Sequence, residues 1–162
     1  MSFLNLVKQL EDQLTESEWA EAYVMDSKEA IHSRKITLCW RETQQPVPLD
    51  LNLSEEAYNR RGFTWRDVHR RMKDCLPKNM LKQSISEANS ILRNANRRST
   101  KDISKDFKNW RETTAELLDH MFGFGVSQNF KEDSVLPTHL QAGSMQAVHF
   151  LFEQKIDYLK SF

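Results

Sequence analysis

The chain has 162 residues, of which 39% are apolar and 28% charged, with four Gly, four Pro and four Trp. That length sustains a core without metal or disulfide support, and so little Gly and Pro favours helices over a turn-rich all-β fold. Net charge is zero but unevenly spread: residues 1–30 hold seven acids against Lys8 and Lys28, while residues 55–110 hold fourteen bases against seven acids, so one surface attracts cations and another anions.

Residues 2–14 read as an amphipathic helix with Phe3, Leu6 or Val7, Leu10 and Leu14 on one face. The apolar phase shifts at Thr15, and Thr15-Glu16-Ser17-Glu18 fits a capping box. A break near Thr15 and a second helix to about Met25 are therefore predicted, with a single longer helix as the alternative. Residues 34–53 change to period two: Ile36, Leu38 and Trp40 alternate with polar neighbours, then Val47, Leu49, Leu51 and Leu53 do the same. That is the pattern of half-buried strands, joined here by a hairpin loop from Arg41 to Pro46. Pro48 places the second strand at an edge, and Glu29 to Ser33 extend the first strand or add a third.

Ser54-Glu55-Glu56-Ala57 opens a short helix ending at Gly62, and Phe63-Thr64-Trp65-Arg66-Asp67-Val68 opens the next. Thr64 is its N-cap, Asp67 stands three on, and Phe63 and Val68 occupy the staple positions. This helix runs to about Leu76, and Pro77 starts a longer one. Over 79–97, Leu81, Ile85, Ala88, Leu92 and Ala95 share a stripe; over 100–122, Ile103, Phe107, Trp110, Thr114, Leu117 and Met121 do. Ser99 caps the second of these, and Gly123-Phe124-Gly125 ends it. Residues 126–142 show no period. Ser144 caps a last helix over 144–161, with Met145, Val148, Phe152, Ile156 and Leu159 on one stripe.

The expected fold is mainly α, a multi-helix domain with a C-terminal three-helix arrangement and a small β-hairpin in the N-terminal third. Leu92, Phe107, Trp110 and Leu117 are expected in the core. The reading is one domain over 1–162, in which 1–53 forms a subregion of helices and hairpin and 54–162 a helical core. The apolar stripes of 79–97 and 144–161 suit a core or a homo-oligomer seam equally well.

Cys39 and Cys75 have no close-spaced partner and read as buried free thiols. With no secretory signal after Met1 and no run near the roughly 18 apolar residues of a membrane span, a cytoplasmic, reducing location without membrane contact is expected. No two of His32, His69, His120, His139 and His149 stand four apart. No metal site is expected, and with neither a Gly-rich phosphate loop nor Gly-x-Ser-x-Gly, no cofactor or catalytic residue. Glu153-Gln154-Lys155 has the Glu-x-Lys spacing of metal-dependent nucleases but sits in a helix without a partner Asp.

The stretch from Asn59 to Lys73 contains Arg60, Arg61, Arg66, Arg70, Arg71 and Lys73 against one acid. Arg66, Arg70 and Lys73 fall on one face of a capped helix that follows a Gly turn, as the second helix of a helix-turn-helix does. Arginine suits bidentate contact with phosphate or guanine. The polar face of the next helix adds Lys82, Ser86, Asn89, Arg93 and Asn96, with Arg97 and Arg98 at its end. Two functional classes follow. The first is a small non-enzymatic nucleic-acid-binding or accessory protein, such as a DNA-binding one, acting through Arg60, Arg61, Arg66, Arg70, Arg71, Lys73, Arg93, Arg97 and Arg98. The second is a protein-interaction module (an adaptor, an inhibitor or immunity protein, or a subunit of a larger complex) with no affinity for nucleic acid. The acidic N-terminal region suits a basic partner or the chain's own basic surface.

Overall fold

A computed structural model of the protein describes residues 2–133 and 135–162. The fold is mainly α, as expected, with a small two-stranded antiparallel sheet in its N-terminal third. Its contacts divide it into two compact units, one ending at Asn79 and the other beginning at Met80.

The first unit opens with α1 (Phe3–Leu14), whose N-cap Ser2 accepts the Asn5 amide at 3.2 Å. Phe3, Leu10 and Leu14 are buried as the stripe predicts, and Leu6 and Val7 are both buried where the stripe called for one of them. The helix stops at Thr15, whose hydroxyl donates to the Asp12 carbonyl at 2.6 Å. The capping box placed at Thr15 is not formed: the N-cap of α2 (Ser17–Ala22) is Glu16.

The largest departure from expectation follows. The second helix ends at Ala22, and Tyr23–Met25 is strand β1; α3 (Ser27–Ser33) comes next, then strand β2 (Leu38–Trp40). The strands pair antiparallel, Tyr23 with Trp40 and Met25 with Leu38. Residues 29–33 are therefore helical, contrary to the strand reading. Asp26 caps α3 by accepting the Glu29 amide at 3.1 Å, so Asp26-Ser27-Lys28-Glu29 carried a helix-start signal. Nor is 47–53 a strand. Val47 donates its amide to Leu38, but Leu49 then bonds back to Val47 and Leu51 to Leu49, two successive γ-turns beside Pro48 that lift the chain off the sheet. The alternation survives only at its ends: Val47 and Leu53 are buried, whereas Leu49 and Leu51 are half-buried.

Tyr23 explains why the chain turns to strand there. It is wholly buried, and its hydroxyl donates to the Met72 carbonyl at 3.1 Å. Burial, with smaller contributions from Cys75 and Glu18, pushes its phenol far above the ordinary 10.0. In the unfolded chain that phenol ionises near 10.0, so above that pH the unfolded state holds fewer protons and stability falls as pH rises. Thermal melts at about pH 8 and about pH 11 should therefore show a steep alkaline loss. Tyr23→Phe, which forfeits about 1 kcal/mol of hydrogen bonding, should flatten it. An equally steep loss in the variant would remove Tyr23 as the cause.

The second unit takes most of α6 (Pro77–Arg93) and continues with α7 (Thr100–Phe122), α8 (Phe124–Lys131) and α9 (Met145–Lys160). The expected C-terminal helices are present, and α8 is an addition in a stretch that showed no period. It packs on α7: Ser127 donates its hydroxyl to the Ala115 carbonyl at 2.8 Å, and Phe130 is fully buried. α6 is shorter than predicted. Asn94 turns its side chain onto the Ser90 carbonyl at 3.1 Å, and a 3₁₀ turn at Ala95–Arg97 follows, since asparagine competes with the helical backbone for its own hydrogen bonds. Phe107 and Trp110 lie in the core as expected. Leu117 and Leu92 are only half-buried, and Leu118, one position on, is fully buried in place of Leu117. In α9, Val148, Phe152, Ile156 and Leu159 are buried, joined unexpectedly by Lys155.

Cys39 and Cys75 are free and half-buried rather than buried. Among the described residues no helix is long and apolar enough to cross a membrane.

Candidate nucleic-acid interface

The basic stretch folds into α4 (Glu55–Arg61) and α5 (Trp65–Asp74). Ser54 caps α4 by accepting the Ala57 amide at 3.1 Å. Glu55 and Glu56 occupy its first turn and Arg60 and Arg61 its last, so the charges complement the helix dipole at both ends. Gly62 then adopts φ +61, a backbone that side chains rarely enter, and the chain turns directly into α5.

At the start of α5 the capping residues act as predicted. The Thr64 amide donates to Asp67 Oδ2 at 2.8 Å, and the Thr64 hydroxyl donates to the same oxygen at 3.2 Å. Those two bonds hold the Asp67 carboxyl below its ordinary range, the amide bond first. A carboxylate therefore already occupies this helix N-terminus, and a phosphate reaching α5 must rely on the arginines. Phe63, Val68 and Met72 are buried beneath, which leaves Arg66, Arg70 and Lys73 exposed on the outer face. Trp65 is half-buried and packs on His69 at 5.4 Å, and His69 meets Trp19 at 5.1 Å.

Tertiary structure sorts the nine predicted residues. Arg61, Arg70 and Arg71 line one recess of about 250 Å³, together with Asn52, Phe63 and Asp67. Arg60 lies apart, paired with Glu56 at 2.5 Å. Arg70 and Arg71 approach carboxylates only loosely, Asp67 at 3.9 Å and Asp50 at 3.8 Å, and keep 76% and 51% of their side chains exposed. Such surface pairs are worth about 0–1 kcal/mol, so a phosphate can displace them. Among the described residues Arg61, Arg66 and Lys73 have no ion pair. The acidic N-terminal region does meet a base of its own chain: Glu18 pairs with Lys78.

The remaining three arginines belong to the second unit. Arg93 ends α6, Arg97 lies in the 3₁₀ turn, and Arg98 pairs with Asp106 of α7. Arg93 lines a shallow groove of about 620 Å³ with Lys82, Ser86 and Asn89 of the same helix, which is the polar face singled out in the sequence. Opposite them stand His149 and Glu153 of α9, two residues the sequence reading set aside. Their spacing of four on a predicted helix was visible, but the helix they would face was not.

Among the described residues no group of three or more His, Cys, Asp or Glu is placed to hold a metal ion. Compared with models of known protein families, with curated proteins and with solved structures, the chain matches none.

Proposed function

We propose that the protein binds nucleic acid as a non-enzymatic or accessory factor, holding phosphates chiefly with the arginines of α4 and α5. One observation carries this reading: three arginines, Arg61, Arg70 and Arg71, line a single recess together with Asn52. Guanidinium forks match phosphate oxygens bidentately, and the adjacent exposed Arg66 and Lys73 extend the cationic edge. The cationic field is local. Residues 1–79 hold twelve Lys and Arg against thirteen Asp and Glu, and residues 80–162 hold eleven against ten.

Anisotropy titrations with double-stranded DNA, single-stranded DNA and RNA at two salt concentrations test it. Affinity should fall steeply with salt, with a log–log slope of about −3 if three phosphates are neutralised on duplex DNA. Arg61→Ala/Arg70→Ala/Arg71→Ala should remove most of that slope, since all three side chains are exposed and the fold does not depend on them. Absence of binding at low salt would end the proposal.

A second reading, a protein-interaction module, draws on the carboxylate partners of Arg60, Arg70, Arg71 and Arg98. It expects a protein partner and no affinity for any of the three nucleic acids.

A further inference from the structure

We infer that the groove flanked by α6 and α9 is a binding site for single-stranded nucleic acid, an inference that rests on the nucleic-acid reading above. The groove lies wholly in the second unit. Its two cations, Lys82 and Arg93, are exposed and have no ion pair among the described residues, unlike Arg60, Arg70, Arg71 and Arg98. They stand eleven positions apart on one helix, about 16 Å along its axis at 1.5 Å per residue. A single phosphate cannot touch both, but a strand can: stacked nucleotides advance about 3.4 Å each, so on the order of five span the gap.

Between the cations lie hydrogen-bonding groups rather than further charge. Ser86 and Asn89 follow Lys82 at helical spacing, and half-buried Ile85 and Leu92 add apolar lining. A hydroxyl and a carboxamide suit phosphate oxygens and base edges, and an apolar lining suits the base faces. The half-buried His149 ring on the α9 side offers a further stacking surface. The apolar lining favours one strand, because a duplex turns its base faces inward and cannot offer them to Ile85, Leu92 or His149. Among the described residues Glu153 is the one carboxylate lining the groove, and it repels a backbone laid there.

The test compares three full-length proteins, wild type, Lys82→Glu/Arg93→Glu and Arg61→Ala/Arg70→Ala/Arg71→Ala, on single strands of thymidine and of uridine about 15 nucleotides long and on a duplex of equal length. The groove variant should lose roughly tenfold or more in single-strand affinity while its duplex affinity changes far less. A trinucleotide should bind much more weakly than the long strand, because it reaches only one cation. Glu153→Gln should strengthen single-strand binding several-fold. A groove variant that binds single strands like wild type overturns the groove assignment, and so does a trinucleotide that binds as tightly as the long strand. If the triple-arginine variant alone abolishes binding, the broader reading stands and the groove falls. If wild type binds no nucleic acid at low salt, both fall.

Discussion

Replacing Trp110 by Ala should destabilise the protein by about 3–5 kcal/mol, measured by urea denaturation. Trp110 is 5% exposed in the middle of α7. Its ring meets Phe130 of α8 at 5.8 Å and Phe152 of α9 at 5.4 Å, and its indole N–H donates to the Ser84 carbonyl of α6 at 2.9 Å. One side chain thus ties α7 to α6, α8 and α9. Alanine removes the ring, opens a cavity that three other helices cannot close, and leaves the Ser84 carbonyl without its indole donor. Phe107 sits 4.8 Å from Phe152 in the same cluster and cannot expand to fill the space. A loss below about 1.5 kcal/mol would mean that the cluster repacks and that Trp110 is not its centre.

The second large effect is expected at Lys155. This lysine is 5% exposed, and its ammonium donates to the carbonyls of Phe130 and Glu132 at the C-terminal end of α8. It also lies 5.5 Å above the Phe130 ring. A cation there satisfies carbonyls that a helix end leaves without intrahelical partners and opposes the negative end of its dipole. Lys155→Ala should cost about 2–4 kcal/mol, from lost packing plus the carbonyl left buried. Lys155→Met keeps the stem and removes only the donors, and should still cost about 1–3 kcal/mol. A methionine variant as stable as wild type would show that the stem, not the ammonium, holds α8.

The pH response of Lys155 runs opposite to that of Tyr23. Burial, and then the nearby Arg111, pull its ammonium below the ordinary 10.5. As pH rises, the folded chain sheds this proton before the unfolded chain does. The unfolded state holds more protons between the lowered value and 10.5, and stability from this group rises with pH across that window. Tyr23→Phe melts should therefore expose the Lys155 contribution, because the opposing phenol is gone.

Where apolar spacing, caps and turn residues agree, the chain declares its own local structure. Ser2, Ser54, Thr64, Ser99 and Ser144 each stand at the N-cap of the helix expected there. The stripes of α1 and α9 were legible because each buries one face against a neighbour, which imposes the 3.6-residue period on the sequence. Gly62 and Gly123 mark helix ends because a positive φ costs glycine little.

Pairing and placement were decided only in three dimensions. Tyr23 fits the end of a helix or a strand locally, and its antiparallel pairing with Trp40 settles it as strand. Leu49 and Leu51 alternate like a strand, yet no sheet edge receives them. α8 has too few turns to show a period, and it is held by Ser127 on α7 and by Lys155 from α9. The arginines were all visible as a charge run. That Arg61, Arg70 and Arg71 share a recess, that Arg98 is tied to Asp106, and that His149 and Glu153 face Lys82 and Arg93 were not. The basic character of the chain is a local property written in its residues. Which of those charges stand together, and which are already partnered, depends on contacts between residues far apart in sequence, and no local pattern encodes them.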